Sequence, residues 1–151
     1  MSNLDSLDAH AHAASSSAAQ PRLSVVIPLY NESGSLGPLH QRLSAVLTGM
    51  QLATYEVVFV DDGSRDTTYA EVAELCAIDP TLKAIRFARN FGKEAAMAAG
   101  LRAASGDVVV LMDGDLQHPP ELIPEMLERW RHGAMMVTAV RRSRDTDPWL
   151  R

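Results

Sequence analysis

Short apolar segments alternate with stretches of helical periodicity from Arg22 onward, and this alternation constrains the fold more than any other feature of the sequence. The apolar segments are 23–29, 55–61, 82–87, 107–113 and 134–140. Nearly continuous apolar runs of this length are typical of parallel strands covered on both faces. We therefore predict five strands in this order along the chain.

The stretches between these segments follow the period of an amphipathic helix. Apolar residues recur on one side of 39–47 and of 122–130. Thr68 and Glu71 have the spacing of a capping box, and an alanine-rich stretch ends at Gly106, a predicted helix stop. Strand–helix units in series predict a doubly wound α/β fold, with a mostly parallel sheet and helices on both faces.

Charge and composition exclude other classes of protein. The net charge of −5 over 151 residues argues against a nucleic-acid partner, because phosphate contacts need a basic surface. No apolar stretch reaches the ~20 residues of a membrane helix. Residues 1–21 are rich in alanine and serine and predict a disordered tail without a signal peptide. We expect this chain alone to be soluble and cytoplasmic.

The ends of the predicted strands indicate where a ligand would bind. Ligands of open α/β sheets bind beyond the carboxyl ends of the strands. Every predicted strand is followed there by polar or charged residues. The segments at the opposite edge, 48–54 and 77–81, are predicted to be simple connections. This asymmetry predicts a site at the carboxyl edge of the sheet.

The fourth predicted strand leads into three oxygen donors at alternate positions, Asp113, Asp115 and Gln117. Hard cations such as Mg²⁺ and Mn²⁺ prefer oxygen ligands, and two neighbouring carboxylates repel each other unless a cation compensates them. We predict that these three residues bind a metal. His118 follows them, and we interpret it as a structural or supporting residue.

Other strand exits carry groups suited to a nucleoside and a diphosphate. We expect one of Asp61 and Asp62 to cap a turn and the other to accept hydrogen bonds from a nucleobase or ribose. Glu32 is predicted to do likewise, with Pro28 shaping the approach. The positive charge that a diphosphate needs is available from Arg89, Lys93, Arg141 and Arg142.

Four ordered motifs carry a resemblance to a known family: VVIPLYNES, VFVDDGSRDTT, RNFGKEAAMAAGL and GDVVVLMDGDLQHPPELIPEML. They resemble family 2 glycosyltransferases of the GT-A fold, and more narrowly the polyprenyl-phosphate glycosyltransferase branch that includes dolichol-phosphate mannosyltransferases. The resemblance implies that 22–145 is a GT-A catalytic domain cut short, of which the chain holds the N-terminal part. Residues 146–151 would then begin a C-terminal part that the chain lacks.

The resemblance also implies an activity, the metal-dependent and inverting transfer of a sugar from a UDP- or GDP-sugar to an acceptor such as a polyprenyl phosphate. It assigns Mg²⁺ or Mn²⁺ to Asp113, Asp115 and Gln117. The residues that it implies for the nucleoside pocket are Pro28, Tyr30, Glu32 and Asp62, with Asp61 nearby.

Arg141 or Arg142 would match a family arginine that contacts phosphate. Asp115 and Arg142 are the candidate catalytic residues. An acceptor phosphate monoester is already largely ionised at neutral pH and needs no strong general base. Members of this branch often continue into transmembrane helices, so the intact protein is expected at the cytoplasmic side of the cell membrane, attached through parts absent from this chain.

Two alternatives stay open at this point. The first is a module that binds a sugar nucleotide without catalysis. The second is a receiver-type phosphoryl-acceptor domain, which is also α/β and has clustered aspartates. Receiver domains carry their acidic pair after the first strand, whereas here 28–32 reads PLYNE at that exit, which argues against them.

Overall fold

The computed structural model describes residues 19–138, so most of the predicted tail and both Arg141 and Arg142 lie outside the described residues. The strands are β1 (Arg22–Leu29), β2 (Thr54–Asp61), β3 (Leu82–Arg86) and β4 (Val108–Leu111). They form one sheet in the order β3-β2-β1-β4, and every neighbouring pair is parallel. The predicted α/β fold with a parallel sheet is confirmed.

Helices cover both faces of this sheet, as predicted. They are α1 (Leu36–Thr48), α2 (Thr68–Ile78), α3 (Lys93–Ala103) and α4 (Ile123–Arg131), the last preceded by a 3₁₀ turn at Pro120–Leu122. The helix α3 packs through Ala96 against Val26 and Val58 on one face. The other three helices enclose the larger core around Phe59 on the opposite face. Within residues 19–138 no helix is both long and apolar enough to cross a membrane.

The predicted fifth strand does not form in the described part of its range. Residues 134–138 carry no strand pairing, and 139–140 lie outside the described residues. Met135 and Met136 are almost fully exposed, so this apolar segment has no neighbouring strand to bury it. Among residues 19–138, β4 is therefore an edge strand, with Val109 and Leu111 partly exposed.

The predicted capping box at the start of α2 does not form. Thr67 is the residue that precedes the helix, and Thr68 is buried inside its first turn. The Thr68 hydroxyl accepts a hydrogen bond from the backbone N–H of Glu32, and the Glu71 carboxylate accepts one from Gly34. Both side chains bind the loop after β1, and Glu71 also accepts a hydrogen bond from the hydroxyl of Thr67.

Gly106 is not the helix stop that the sequence predicts, because α3 already ends at Ala103. A methyl group placed at Gly106 would lie 2.6 Å from the backbone nitrogen of Ser24. Glycine is required there because the chain passes directly against β1 as it enters β4.

Candidate functional site

Three side chains that can bind a metal converge just beyond the carboxyl end of β4. One ligand atom from each of Asp113, Asp115 and His118 can be chosen so that all three lie within 4.8 Å of one another. Two ligands on opposite sides of a Mg²⁺ are about 4.2 Å apart, so small side-chain movements would bring this set to a divalent cation. Two carboxylates suit Mg²⁺ or Mn²⁺, and His118 joins them although its sequence position suggested a supporting role.

The loop that presents these side chains is held in an unusual backbone conformation. Leu116, between Asp115 and Gln117, has a left-handed φ of 62°, and its side chain packs against the main core. The Asp115 carboxylate accepts a hydrogen bond from the backbone N–H of Gln117 across 3.0 Å. A branched or bulky residue adopts this φ only where its surroundings enforce it, and such strain is commonly found at binding sites.

Gly114, between the two aspartates, lies close against the end of β1. A methyl group placed there would lie 2.4 Å from Cδ2 of Leu29, the end of a flexible side chain, and 3.5 Å from Ile27. An alanine therefore requires Leu29 to move within the core. Glycine fits without any such movement.

Lys93, the first residue of α3, faces this carboxylate cluster. Its Nζ lies 2.5 Å from Oδ1 of Asp113, and Nδ1 of His118 lies 3.6 Å from Oδ2 of the same residue. Each oxygen of the Asp113 carboxylate thus has a nitrogen beside it. Sequence reasoning placed Lys93 and Asp113 at strand exits that are consecutive along the chain, and the structure brings the two side chains into contact.

Glu32, in the loop after β1, lies close enough to Asp115 and Asp113 for their negative charges to act on its carboxyl group. Partial burial raises the pKa of Glu32, and the charges of Asp115 and Asp113 raise it further. Tyr30 in the same loop has 42% of its surface exposed, so its ring is available to a ligand. The first strand exit therefore offers an aromatic ring, and a carboxyl group near the candidate metal ligands Asp113 and Asp115.

The loop after β1 is bonded to the loop after β2 along four consecutive residues. The backbone N–H groups of residues 31–34 donate in turn to the side chains of Ser64, Thr68, Asp66 and Glu71, across 2.8–3.2 Å. The Asn31 side chain accepts a bond from the Arg65 N–H in return. These side chains therefore hold the loop that carries Tyr30 and Glu32.

Asp61 and Asp62 are both buried, with 1% and 3% of their surfaces exposed, but they have different partners. Oδ1 of Asp61 accepts a bond from the Ser64 N–H. Among residues 19–138, Oδ2 of Asp61 has no hydrogen-bond donor, and its nearest cation is Nε of Arg86 at 3.5 Å. Asp62 instead accepts bonds from the loop that precedes α3.

The other predicted residues lie near the same edge in less direct positions. The Arg89 guanidinium lies 4.3 Å from the centre of the Phe91 ring, a cation–π contact on the surface. Pro28 lines an elongated groove of about 550 Å³ that follows β4 and also borders Lys93, Asp113 and His118.

The parallel α/β sheet is the fold of the GT-A glycosyltransferases, as the similarity to a solved structure shows. Mannosyltransferase PcManGT from Pyrobaculum calidifontis, solved in complex with GDP-Man and Mn²⁺, superposes with a TM-score of 0.54 at 29% identity. The match covers 65% of this chain and 28% of that chain.

Residues 24–151 match the family described as glycosyl transferase family 2, and the chain belongs to it. An uncharacterized glycosyltransferase from Synechocystis, sll0501, is 44% identical over 85% of this chain and 40% of its own length. The bactoprenol glucosyl transferase of Shigella phage SfV is 41% identical over 86% of this chain and 42% of its own length. The chain thus spans about two fifths of the length of these relatives. Membership in this family removes the receiver-type alternative.

Two features of the site were missed by sequence reasoning. One is the convergence of His118 with Asp113 and Asp115, because sequence reasoning favoured a structural or supporting role for this histidine. The other is the role of Asp66 and Glu71 in holding the loop after β1. Their partners lie more than 30 residues away in sequence, so no local pattern reveals them.

Proposed function

We propose that the protein is a metal-dependent, inverting glycosyltransferase that moves a sugar from a nucleoside diphosphate sugar to a polyprenyl phosphate. The observation that carries the proposal is the convergence of Asp113, Asp115 and His118 beside Lys93, at the strand exits of a family 2 chain. The similar proteins include a bactoprenol glucosyl transferase and a mannosyltransferase solved with GDP-Man and Mn²⁺, which supports the acceptor, donor and metal classes.

In this proposal Asp113 and Asp115 hold Mg²⁺ or Mn²⁺, with His118 or Gln117 as a third ligand. When bound, such a cation supplies Lewis-acid stabilisation of the charge on the departing diphosphate. Lys93 binds a phosphate oxygen as a point charge. Arg89 adds positive charge at this edge of the sheet, and Arg141 or Arg142, which lie outside the described residues, would supply a further contact to phosphate.

Tyr30, Glu32 and Pro28 line the nucleoside side of the site. We assign the hydrogen bond to the nucleobase or ribose to Asp61, because its Oδ2 has no donor among residues 19–138 whereas the oxygens of Asp62 are occupied. An unsatisfied buried carboxylate oxygen is costly, so a ligand N–H or O–H would be bound favourably there. The exposed Arg86 side chain would have to move aside for this contact.

The transfer itself is a displacement at the anomeric carbon. The bond from that carbon to the diphosphate oxygen breaks, and a bond to an acceptor phosphate oxygen forms on the opposite face. The electron pair leaves with the nucleoside diphosphate. The acceptor arrives ionised, so the protein's tasks are positioning and charge compensation, with Asp115 and Arg142 as the candidate catalytic residues. Since the acceptor is a membrane lipid, the intact protein would act at the cytoplasmic face of the cell membrane.

The binding part of the proposal is tested by calorimetric titration of UDP, GDP and their sugars in the presence of Mn²⁺. We expect one nucleotide to bind the wild type, and Asp113→Asn or Asp115→Asn to weaken that binding at least tenfold. Asp107→Asn is the matched control, because Asp107 immediately precedes β4 while Asp113 follows it. Equal affinity in the wild type and both site variants would refute the metal site.

The catalytic part requires a separate measurement, because binding does not prove turnover. The intact protein should transfer radiolabelled sugar from the bound nucleotide sugar to a short polyprenyl phosphate in detergent. Chromatographic separation of the lipid product would detect it. Tight, metal-dependent binding with neither lipid product nor release of the nucleoside diphosphate would identify a binding module instead of an enzyme.

A further inference from the structure

The carboxylate of Asp62 is fully engaged by the loop between β3 and α3. Its Oδ1 accepts a bond from the backbone N–H of Phe91 across 2.7 Å. Its Oδ2 accepts two more, from the backbone of Gly92 at 3.0 Å and from the Asn90 side chain at 3.1 Å. Three donors on one buried carboxylate leave little capacity for a ligand, so the partner of Asp62 is this loop.

The neighbouring residue, Gly63, shows how closely the loop approaches the end of β2. Gly63 has a left-handed φ of 70°, and a methyl group placed on it would lie 2.4 Å from the carbonyl carbon of Arg89 and 2.6 Å from the nitrogen of Asn90. Only a glycine lets the two backbones pass at this distance. Asp62 and Gly63 together therefore determine the path of residues 89–92.

Lys93 follows this loop directly and begins α3. A loop held at Phe91 and Gly92 delivers the lysine to one position, where its ammonium group meets Oδ1 of Asp113. The lysine thereby offsets one of the two negative charges at the candidate metal site. A cation that binds Asp113 must replace this ammonium group, and the released group is then adjacent to whatever anion the cation carries.

We infer that Asp62 is a positioning residue that holds the Lys93 ammonium group against Asp113. A divalent cation that binds Asp113 displaces this ammonium group, and the displaced group then binds the diphosphate of the donor. The inference rests on the proposed function and assigns Asp62 a role other than lining the nucleoside pocket. It implies opposite effects on two affinities. Releasing or removing the lysine strengthens metal binding in the absence of nucleotide and weakens nucleoside diphosphate binding in the presence of metal.

The first test is a Mn²⁺ titration followed by electron paramagnetic resonance, without nucleotide. Lys93→Met should raise the Mn²⁺ affinity about two- to fivefold, the range that a partly exposed ion pair allows. Asp62→Asn should raise it by a smaller factor. Arg102→Met is the matched control, because it removes the same charge from the far end of α3. Unchanged or weaker Mn²⁺ binding in the Lys93 and Asp62 variants would overturn the inference.

The second test compares nucleoside diphosphates with their nucleosides, in saturating Mn²⁺. Asp62→Asn and Lys93→Met should each weaken UDP or GDP binding and leave uridine or guanosine binding, measured by ligand-observed NMR, unchanged. In the variant that combines both substitutions, UDP or GDP binding should be nearly as strong as in Lys93→Met alone, because Asp62 acts through the lysine. An equal loss of nucleoside and diphosphate binding in Asp62→Asn would instead make Asp62 a direct nucleoside ligand.

A variant that fails to fold would not decide the matter, so a milder change accompanies it. Asn90→Ala removes one of the three donors to Asp62 from an exposed side chain and should move both affinities in the same directions by less. Failure of wild-type protein to bind UDP or GDP refutes the proposed function, while the Mn²⁺ titration still decides the link between Asp62, Lys93 and Asp113.

Discussion

Glu56 is a buried carboxylate near the amino-terminal edge of the sheet, opposite to the candidate site. Its Oε1 accepts bonds from the Ser24 hydroxyl at 2.6 Å and from the Ser105 N–H at 2.7 Å, and Nζ of Lys83 lies 2.5 Å from Oε2. Burial alone raises the pKa of Glu56, but the hydrogen bonds from Lys83, Ser24 and Ser105 outweigh it, and the pKa falls from 4.5 to about 2.

This difference in pKa predicts a stability that depends on pH. One pKa unit corresponds to about 1.4 kcal/mol, so ionised Glu56 stabilises the folded state by about 3 kcal/mol. Because the folded pKa is the lower one, the contribution is complete above the unfolded pKa of 4.5 and is lost as the pH falls toward about 2. We expect Glu56→Gln to lower the free energy of unfolding by about 3 kcal/mol at neutral pH and by much less near pH 2.5.

The matched control is Asp107→Asn at the same edge of the sheet. A hydrogen bond from Arg22 lowers the pKa of Asp107 to about 2 as well, but this ion pair is exposed and screened by water, so its loss should matter little. Urea unfolding of the wild type and both variants, followed by circular dichroism at several pH values, measures the difference. A Glu56→Gln effect that is independent of pH, or an equally large effect of Asp107→Asn, would refute the reasoning.

Two glycine substitutions, with a third as a control, test the packing around the sheet. Gly100→Ala places a methyl group 2.2 Å from Cγ1 of the buried Val26 and should destabilise the fold by about 1–3 kcal/mol, whereas Gly37→Ala, in an open position of α1, should be neutral or slightly stabilising. Gly63→Ala combines a left-handed φ with a contact of 2.4 Å to the backbone of Arg89 and should cost about 2 kcal/mol or more. Urea unfolding measures all three, and an unaffected Gly63→Ala variant would contradict the close approach of the two loops.

The strands that are buried on both faces were predicted well, because burial leaves a continuous apolar run in the sequence. β1 and β2 were each predicted to within one residue of their observed starts and at their observed ends. β4 was predicted too long, since only four of its residues pair with β1. The apolar residues at 134–138 show the limit of this reasoning, because an apolar run forms a strand only where a neighbouring strand is available.

The site was predictable in outline for a similar reason. Parallel strands end at one edge, so residues that follow different strands meet there, and this rule brought Lys93 and Asp113 together across 20 positions of sequence. The same rule could not distinguish Asp61 from Asp62. Adjacent identical residues differ only in the side of the backbone on which each side chain lies. Which of the two carboxylates is hydrogen-bonded within the protein depends on the path of residues 89–92, and no sequence pattern predicts that path.

The connections between strand exits position the side chains of the candidate site before any ligand binds. The loop after β1 is bonded to side chains of the loop after β2, Asp62 at the end of β2 is bonded to the loop after β3, and Lys93 from that loop reaches Asp113 after β4. Each strand exit is therefore held by the next one along the chain. Pre-organised groups bind with a smaller loss of conformational entropy, so a change at any one link should alter binding at sites it does not touch.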